Sequence, residues 1–320
     1  MSLIDIRAHG GVFGGGKRIK TNDAIIKMAK YQAVSFHYGG NRAAYNDEAD
    51  GLILIAYING VGGDFRVKCY DRDLNLKFET YNLGSSIYSV ARDDTHFYVS
   101  RAGLLSKYPI VSSGNPSPVW NYTIPNGANY DAMKVRNGKV YGLNNNTLKI
   151  DVINSSGQLE DTIPISAWAN LMEMDKNGFI YIYDINDELY KLDTVSKQKL
   201  WSVPALQYNG SNPNYLRQSE NYIFVITSNN YAARINKQTG AIATPLTYID
   251  MNNRISFDQF GNSFVWRSGD PNVNFKGKES FDGGGFTQSG FYLENVYGVK
   301  KPFSVGASIL VLDFYYALNI

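Results

Sequence analysis

The chain holds one cysteine, Cys69, so no disulfide and no cysteine-based metal centre can form within it. Histidine is nearly as scarce. His9, His37 and His96 are scattered, with no ligand spacing and no arrangement that would activate a serine or cysteine nucleophile. An excess of one charge is missing too: 31 Lys and Arg against 29 Asp and Glu leave +2. That is far short of the basic footprint that nucleic acid or an anionic membrane surface calls for. Long apolar runs are absent. The longest, Ala307 to Leu312, stops at Asp313 and is too short to span a bilayer. Where a secretory leader would carry an apolar core, the first residues include Asp5, Arg7 and several glycines. The expectation is therefore a product made in the cytoplasm with no signal peptide and no membrane span.

What the chain has in quantity is tyrosine (24 residues) and asparagine (about a tenth of the chain), with only 19% charged residues. Such a composition suits strands and turns whose surface hydrogen-bonds sugars or protein backbones. The stretch Trp168 to Trp201 shows how it is used. Leu171–Met174 is a short apolar-rich run, Asp175-Lys176-Asn177-Gly178 a turn, and Phe179–Tyr183 a run of aromatic and β-branched residues. Leu189–Leu192 and Lys199–Val203 supply two more strands. Four short antiparallel strands in so few residues cannot bury both faces alone and need neighbours like themselves.

Those neighbours are in the sequence. The same turn-then-strand core recurs with equivalent positions near 54, 98, 141, 181, 224 and 264, at spacings of 44, 43, 40, 43 and 40 residues. A period in the low forties with four strands per period predicts an all-β fold, a β-propeller of four-stranded antiparallel blades. Six blades are expected, with seven as the alternative. The third strands repeat as well, in Val67-Lys68-Cys69-Tyr70-Asp71, Leu148-Lys149-Ile150-Asp151, Tyr190-Lys191-Leu192-Asp193 and Ala233-Arg234-Ile235-Asn236, and Trp120 and Trp201 sit alike in the fourth. At these residues the chain resembles the pyrroloquinoline-quinone-like family of propeller repeats, whose units read apolar-x-Asp-x-x-x-Gly-x-x-x-Trp. The resemblance spans roughly residues 42–270 and implies fold only, because most proteins with such repeats bind no quinone.

Both ends depart from the period. Residues 1–40 form a Gly-rich segment, residues 41–284 the propeller, and residues 285–320 a β-rich segment that either closes the last blade or serves attachment. The glycine cluster Gly10 to Gly16 lacks the Gly-Lys-Ser/Thr of a phosphate loop. The sixth unit breaks pattern after Trp266, where Asp270-Pro271 and Gly283–Gly285 interrupt it. Asp71-Arg72-Asp73 lacks the glycine and distal glutamate of a calcium loop, so neither metal nor cofactor is expected.

In a propeller, the starts of the innermost strands and the loops after the second strands share one face. The strand starts offer Tyr88, Tyr130, Trp168, Tyr215 and Arg254. The loops offer Arg101, Asn144, Asn145, Asp187, Asn229, Asn230 and Arg267. Aromatic, amide and guanidinium groups in a ring could stack on and hydrogen-bond a carbohydrate or a protein loop. The acidic turns Asp93-Asp94, Asp175 and Asp258 belong to the opposite face and read as turn-formers, not as acid–base pairs.

No catalytic constellation emerges, and the expectation is a binding protein that is not an enzyme. Ile4 to Gly16 resembles the short attachment ends of tailed-bacteriophage tail proteins. That resemblance implies a virion component, partnered by other tail proteins, by a host-surface glycan, and by copies of itself under the symmetry of the particle. An intracellular or envelope interaction scaffold is one alternative. A propeller enzyme, quinone-dependent or polysaccharide-cleaving, is the other.

Overall fold

The structure, a computed structural model, describes residues 42–45, 52–59, 63–70, 76–204, 213–227, 231–248, 253–257, 262–267, 272–278 and 291–292. The expected attachment segment 1–40, the turn residues Asn229, Asn230 and Asp258, the run Asp71–Asn75 and everything after 292 lie outside this set. The described residues form six four-stranded sheets, each an antiparallel meander in chain order. Apart from one 3-10 turn at Pro125–Gly127, they contain no helix.

Blade 1 holds β1 (Arg42–Tyr45), β2 (Ile53–Asn59), β3 (Asp64–Tyr70) and β4 (Leu76–Glu79). Blade 2 holds β5 (Ile87–Arg92), β6 (His96–Arg101), β7 (Leu104–Pro109) and β8 (Trp120–Thr123). Blade 3 comprises β9 (Tyr130–Arg136), β10 (Lys139–Asn144), β11 (Lys149–Ile153) and β12 (Leu159–Pro164). Blade 4 comprises β13 (Ala169–Met174), β14 (Phe179–Asp184), β15 (Leu189–Asp193) and β16 (Lys199–Val203). Blade 5 runs through β17 (Pro213–Gln218), β18 (Tyr222–Thr227), β19 (Tyr231–Asn236) and β20 (Ile242–Tyr248). In blade 6, β21 (Asn253–Phe257) and β22 (Asn262–Arg267) are followed by β23 (Asn272–Lys278) and a short β24 (Phe291–Tyr292). The sixth unit therefore keeps its third strand without the apolar–Asp ending, since backbone pairing of Asn262 with Lys278 through Trp266 with Val273 suffices.

First strands of successive blades lie side by side, β1 against β5, β5 against β9, and so on through β13 and β17 to β21. Between blades the strands bury both faces. Ile180 and Ile182 point into the core shared with blade 3, while Tyr181 and Tyr183 point into the core shared with blade 5. This is period-two alternation with two apolar faces, which is why the strands read as continuous apolar runs. Leu54, Val67, Cys69 and Phe78 of blade 1 meet Val90, Phe97 and Val99 of blade 2 in the same way. Ala91, Tyr98 and Leu105 of blade 2 meet Tyr130, Met133 and Val140 of blade 3. Each fully buried aliphatic side chain is worth roughly 1.5–3 kcal/mol, so these sheets hold by stacking. Cys69 is fully buried.

Turn chemistry explains the joints. Asn137 and Gly138 both take positive φ (50° and 71°) in the two-residue link between β9 and β10. The second Asn-Gly, Asn177-Gly178, behaves differently because its link has four residues, and there only Gly178 is left-handed (φ 89°). Asp175 organises that turn instead, its Oδ1 accepting the backbone N–H of Asn177 (2.8 Å) and Phe179 (3.1 Å). Asp93 does the same for Thr95 (2.9 Å) and His96 (2.7 Å). Both acidic turns are turn-formers.

Candidate functional site

The end of each blade where the first strand starts is shaped by a repeated irregularity. In blades 2 to 5 the first strand carries one extra residue beside its opening pair, as between Ile87↔Arg101 and Ser89↔Ser100, or Ala169↔Asp184 and Leu171↔Tyr183. Such bulges bend a strand and re-aim its side chains. Tyr88 is the extra residue of blade 2 and is half-buried.

Several side chains expected on the ligand face are turned inward. Tyr130 is fully buried. Its ring lies flat on Gly142, where a Cβ would come within 2.5 Å of it. Its hydroxyl donates to Asp151 Oδ2 (2.9 Å), and Asn144 Nδ2 donates to the same oxygen (2.9 Å). Asn145 fastens blade 3 to blade 4: Oδ1 accepts Ala169 N–H and Nδ2 donates to Ala169 O, both at 2.9 Å, with Asp131 Oδ2 at 3.1 Å. The reason is polar satisfaction. The buried N–H and C=O of Ala169 at the start of β13 need partners, and the Asn145 amide provides them. Arg101 donates through Nη1 to Leu83 O and so ties blade 2 to the link that precedes it. Tyr130, Asn144 and Asn145 are thus structural, a correction to their expected exposure.

Others do reach the surface. Trp168, just ahead of β13, is 50% exposed, and its carbonyl accepts Ile185 N–H at 2.8 Å. Asp187 takes φ 61° in the loop after β14, where its Oδ1 accepts the Tyr183 hydroxyl at 3.0 Å. Tyr215, Arg254 and Arg267 lie on β17, β21 and β22, but their side chains are outside the described set, as are Asn229 and Asn230 altogether.

Two more residues complete this end: Ile185, which the sequence pattern does not single out, and Leu148, which it puts in a third strand but which lies just ahead of β11. Ile185 is 59% exposed and Leu148, at φ 53°, is 41% exposed. Leu148 N–H bonds Asn145 O (3.4 Å), Asn145 bonds Ala169, and Ile185 bonds Trp168, so a chain of backbone-anchored bonds joins the three. The only signal was an aliphatic side chain inside an otherwise polar turn, Asp-Ile-Asn-Asp or Asn-Thr-Leu-Lys.

No family model matches the chain, and no curated protein matches it. Solved structures do. Hydrazine synthase of Kuenenia stuttgartiensis, a β-propeller protein, superposes with TM-score 0.55 at 15% identity over 74% of this chain and 76% of its own. Raptor of Chaetomium thermophilum gives TM-score 0.58 at 8% identity, covering 77% of this chain and 24% of that one. The computationally designed Ika8 protein gives 0.50 at 14% identity, with 72% of each chain covered. The fold is a β-propeller. At such identities the likeness speaks for fold alone.

Electrostatically, the blade 3–4 end of the propeller leans acidic. Asp184 is 1% exposed; its Oδ1 accepts Asn186 and Glu188 N–H, but its Oδ2 is buried without a hydrogen-bond partner. Burial pushes its carboxyl above the usual range, outweighing the two backbone bonds. For Glu188 burial also works upward, but hydrogen bonds from Lys199 (2.8 Å) and Ser202 win and its carboxyl is lowered. Burial raises the Tyr183 phenol, keeping it a neutral donor to Asp187. Among the described residues no three His, Cys, Asp or Glu stand together as metal ligands, and no helix is long and apolar enough to cross a membrane. What this end offers chemically is contact, an indole and two aliphatic groups framed by amide, phenol and carboxylate.

Proposed function

We propose that the protein is a non-enzymatic binding component of a tailed-phage particle, in which the blade 3–4 end docks a neighbouring virion subunit or a host-surface glycan. The observation that carries the docking reading is the exposure of Leu148, Trp168 and Ile185 at the same end of two adjacent blades. Single exposed apolar residues are ordinary. Three large ones, linked through Asn145 and Ala169 and set above buried polar supports, are the makings of a recognition surface. The virion part of the reading is supported by the Gly-rich opening Ile4 to Gly16, and the symmetry of such particles favours several copies per assembly.

The test is a photoactivatable phenylalanine analogue placed at position 168, irradiated in purified particles of the virus that encodes the chain. A cross-link to another virion polypeptide is expected. A protein that is present in particles but never cross-linked from position 168 would retire the docking end. Absence from particles would retire the virion assignment and favour a cellular scaffold.

A further inference from the structure

We infer that the occupant of the blade 3–4 end is a protein segment presenting a lysine or arginine next to an aliphatic side chain, an inference that rests on the docking reading above. Two features of the site select this partner over a sugar. The first is the kind of apolar surface. A carbohydrate platform uses the flat faces of aromatic rings, whereas two of the three exposed groups here, Leu148 and Ile185, have no face to offer. An aromatic anchor ringed by aliphatic groups is the make-up of a protein–protein contact centre.

The second is charge. Among the described residues at this end, Asp131, Asp184, Asp187 and Glu188 stand against Lys149 and Lys199, and Lys199 is engaged with Glu188 at 2.8 Å. The balance is acidic on a chain whose net charge is +2. Asp184 adds to it from below: its Oδ2 is buried with no hydrogen-bond donor, directly beneath the loop that carries Ile185 and Asp187. A cation arriving over that loop is drawn by this net acidic balance, and an anionic partner is repelled by it. Trp168, half exposed beside them, can take the stem of an arginine or lysine against its ring.

The full-length chain is immobilised and panned against a display library of random short peptides, with Trp168→Ala as background and a neutral and acidic glycan array in parallel. Peptides enriched over the background are expected to carry Lys or Arg beside Leu, Ile or Val. Changing that cation to Gln should weaken binding about tenfold, and Asp131→Asn with Asp187→Asn should weaken it several-fold. The Asn at 187 keeps both the left-handed backbone and an acceptor for Tyr183, so folding is spared. Enriched peptides without a basic residue overturn the inference but leave docking intact. So does glycan binding that Trp168→Ala abolishes. If neither library yields anything above the Trp168→Ala background, the docking reading itself falls.

Discussion

Blades 2 and 4 grip their successors with an indole, whereas blade 3 grips blade 4 with an ion pair. Trp120 covers Gly157 of blade 3, and its Nε1 donates to Ser155 O at 2.9 Å, a carbonyl that also receives Lys107 Nζ at 3.3 Å. Trp201 covers Gly240 of blade 5 in the same way, bonding Lys237 O at 3.1 Å beside Lys191 Nζ at 3.0 Å. In both blades the ring leans on a tyrosine whose hydroxyl donates to the turn aspartate at 2.8 Å, Tyr98 to Asp93 and Tyr181 to Asp175. At the equivalent places of the 3–4 contact, Asp161 replaces the indole and Lys197 the glycine, with Nζ and Oδ1 2.5 Å apart. Lys197 keeps φ 60°, close to the 81° and 75° of the glycines it stands for. The backbone bend is therefore common to all three interfaces, and the side chains are chosen jointly. An indole can lie there only if no Cβ does, and once a side chain occupies the bend the partner must be small and complementary.

The largest effect is expected from adding one carbon. In Gly240→Ala the new Cβ would sit 2.8 Å from the Trp201 ring at a left-handed φ, so the indole must lift. A loss of about 2–4 kcal/mol in unfolding free energy is expected by chemical denaturation. Next comes removal of the grip itself. Trp201→Ala should cost about 3 kcal/mol. Asp161→Ala should cost at most about 1 kcal/mol and less in high salt, since both partners are more than a third exposed. Equal costs would mean that the ion pair is a full substitute for the indole and that the interfaces do not differ in strength.

A subtler test exchanges one solution for the other. Asp161→Trp alone sets an indole against the Lys197 side chain and should destabilise. Adding Lys197→Gly should recover most of that loss, with a coupling of about 1–2 kcal/mol in the double-mutant cycle. Strict additivity would show that indole and glycine are chosen independently.

Much of this was legible in the chain. The period, the four strands per unit, the turn role of Asp93 and Asp175 and the matching places of Trp120 and Trp201 all follow from local chemistry repeated at a fixed distance. What the sequence hides is which blade a side chain serves. The glycine of one unit meets the indole of the previous one, a relation that a motif read within a single unit cannot express. Tyr130 looked like a rim aromatic because its burial depends on the missing Cβ of Gly142, a strand away. Asn145 looked like an ordinary turn amide because its partners, Ala169 N–H and O, belong to the next blade, 24 residues further along the chain. Ile185 was overlooked, and Leu148 put in a strand, for the opposite reason, since exposure of an aliphatic side chain contradicts its usual preference.

The smallest effect expected is a difference in sign between two carboxylates, half-buried Asp93 in blade 2 and buried Asp184 in blade 4. Burial raises Asp93 as well, but hydrogen bonds from Thr95, Tyr98 and His96 outweigh it and leave its carboxyl below the ordinary value. Asp184 in blade 4 has only two backbone donors on one oxygen and none on the other, and burial leaves it above. The folded state therefore binds the Asp93 proton more weakly than the unfolded chain does. Its stabilisation is present above the unfolded carboxylate value and is lost as pH falls through the depressed one. For Asp184 the folded state binds the proton more tightly. Stability then declines as pH climbs from the ordinary carboxylate value through the raised one. Denaturation series from acid to neutral pH on Asp93→Asn and Asp184→Asn separate the two. Relative to wild type, Asp93→Asn should lose most at neutral pH and least in acid, whereas Asp184→Asn should fare better as pH rises. Parallel slopes would mean that hydrogen bonds, and not burial, govern Asp184, and that its second oxygen has found a donor.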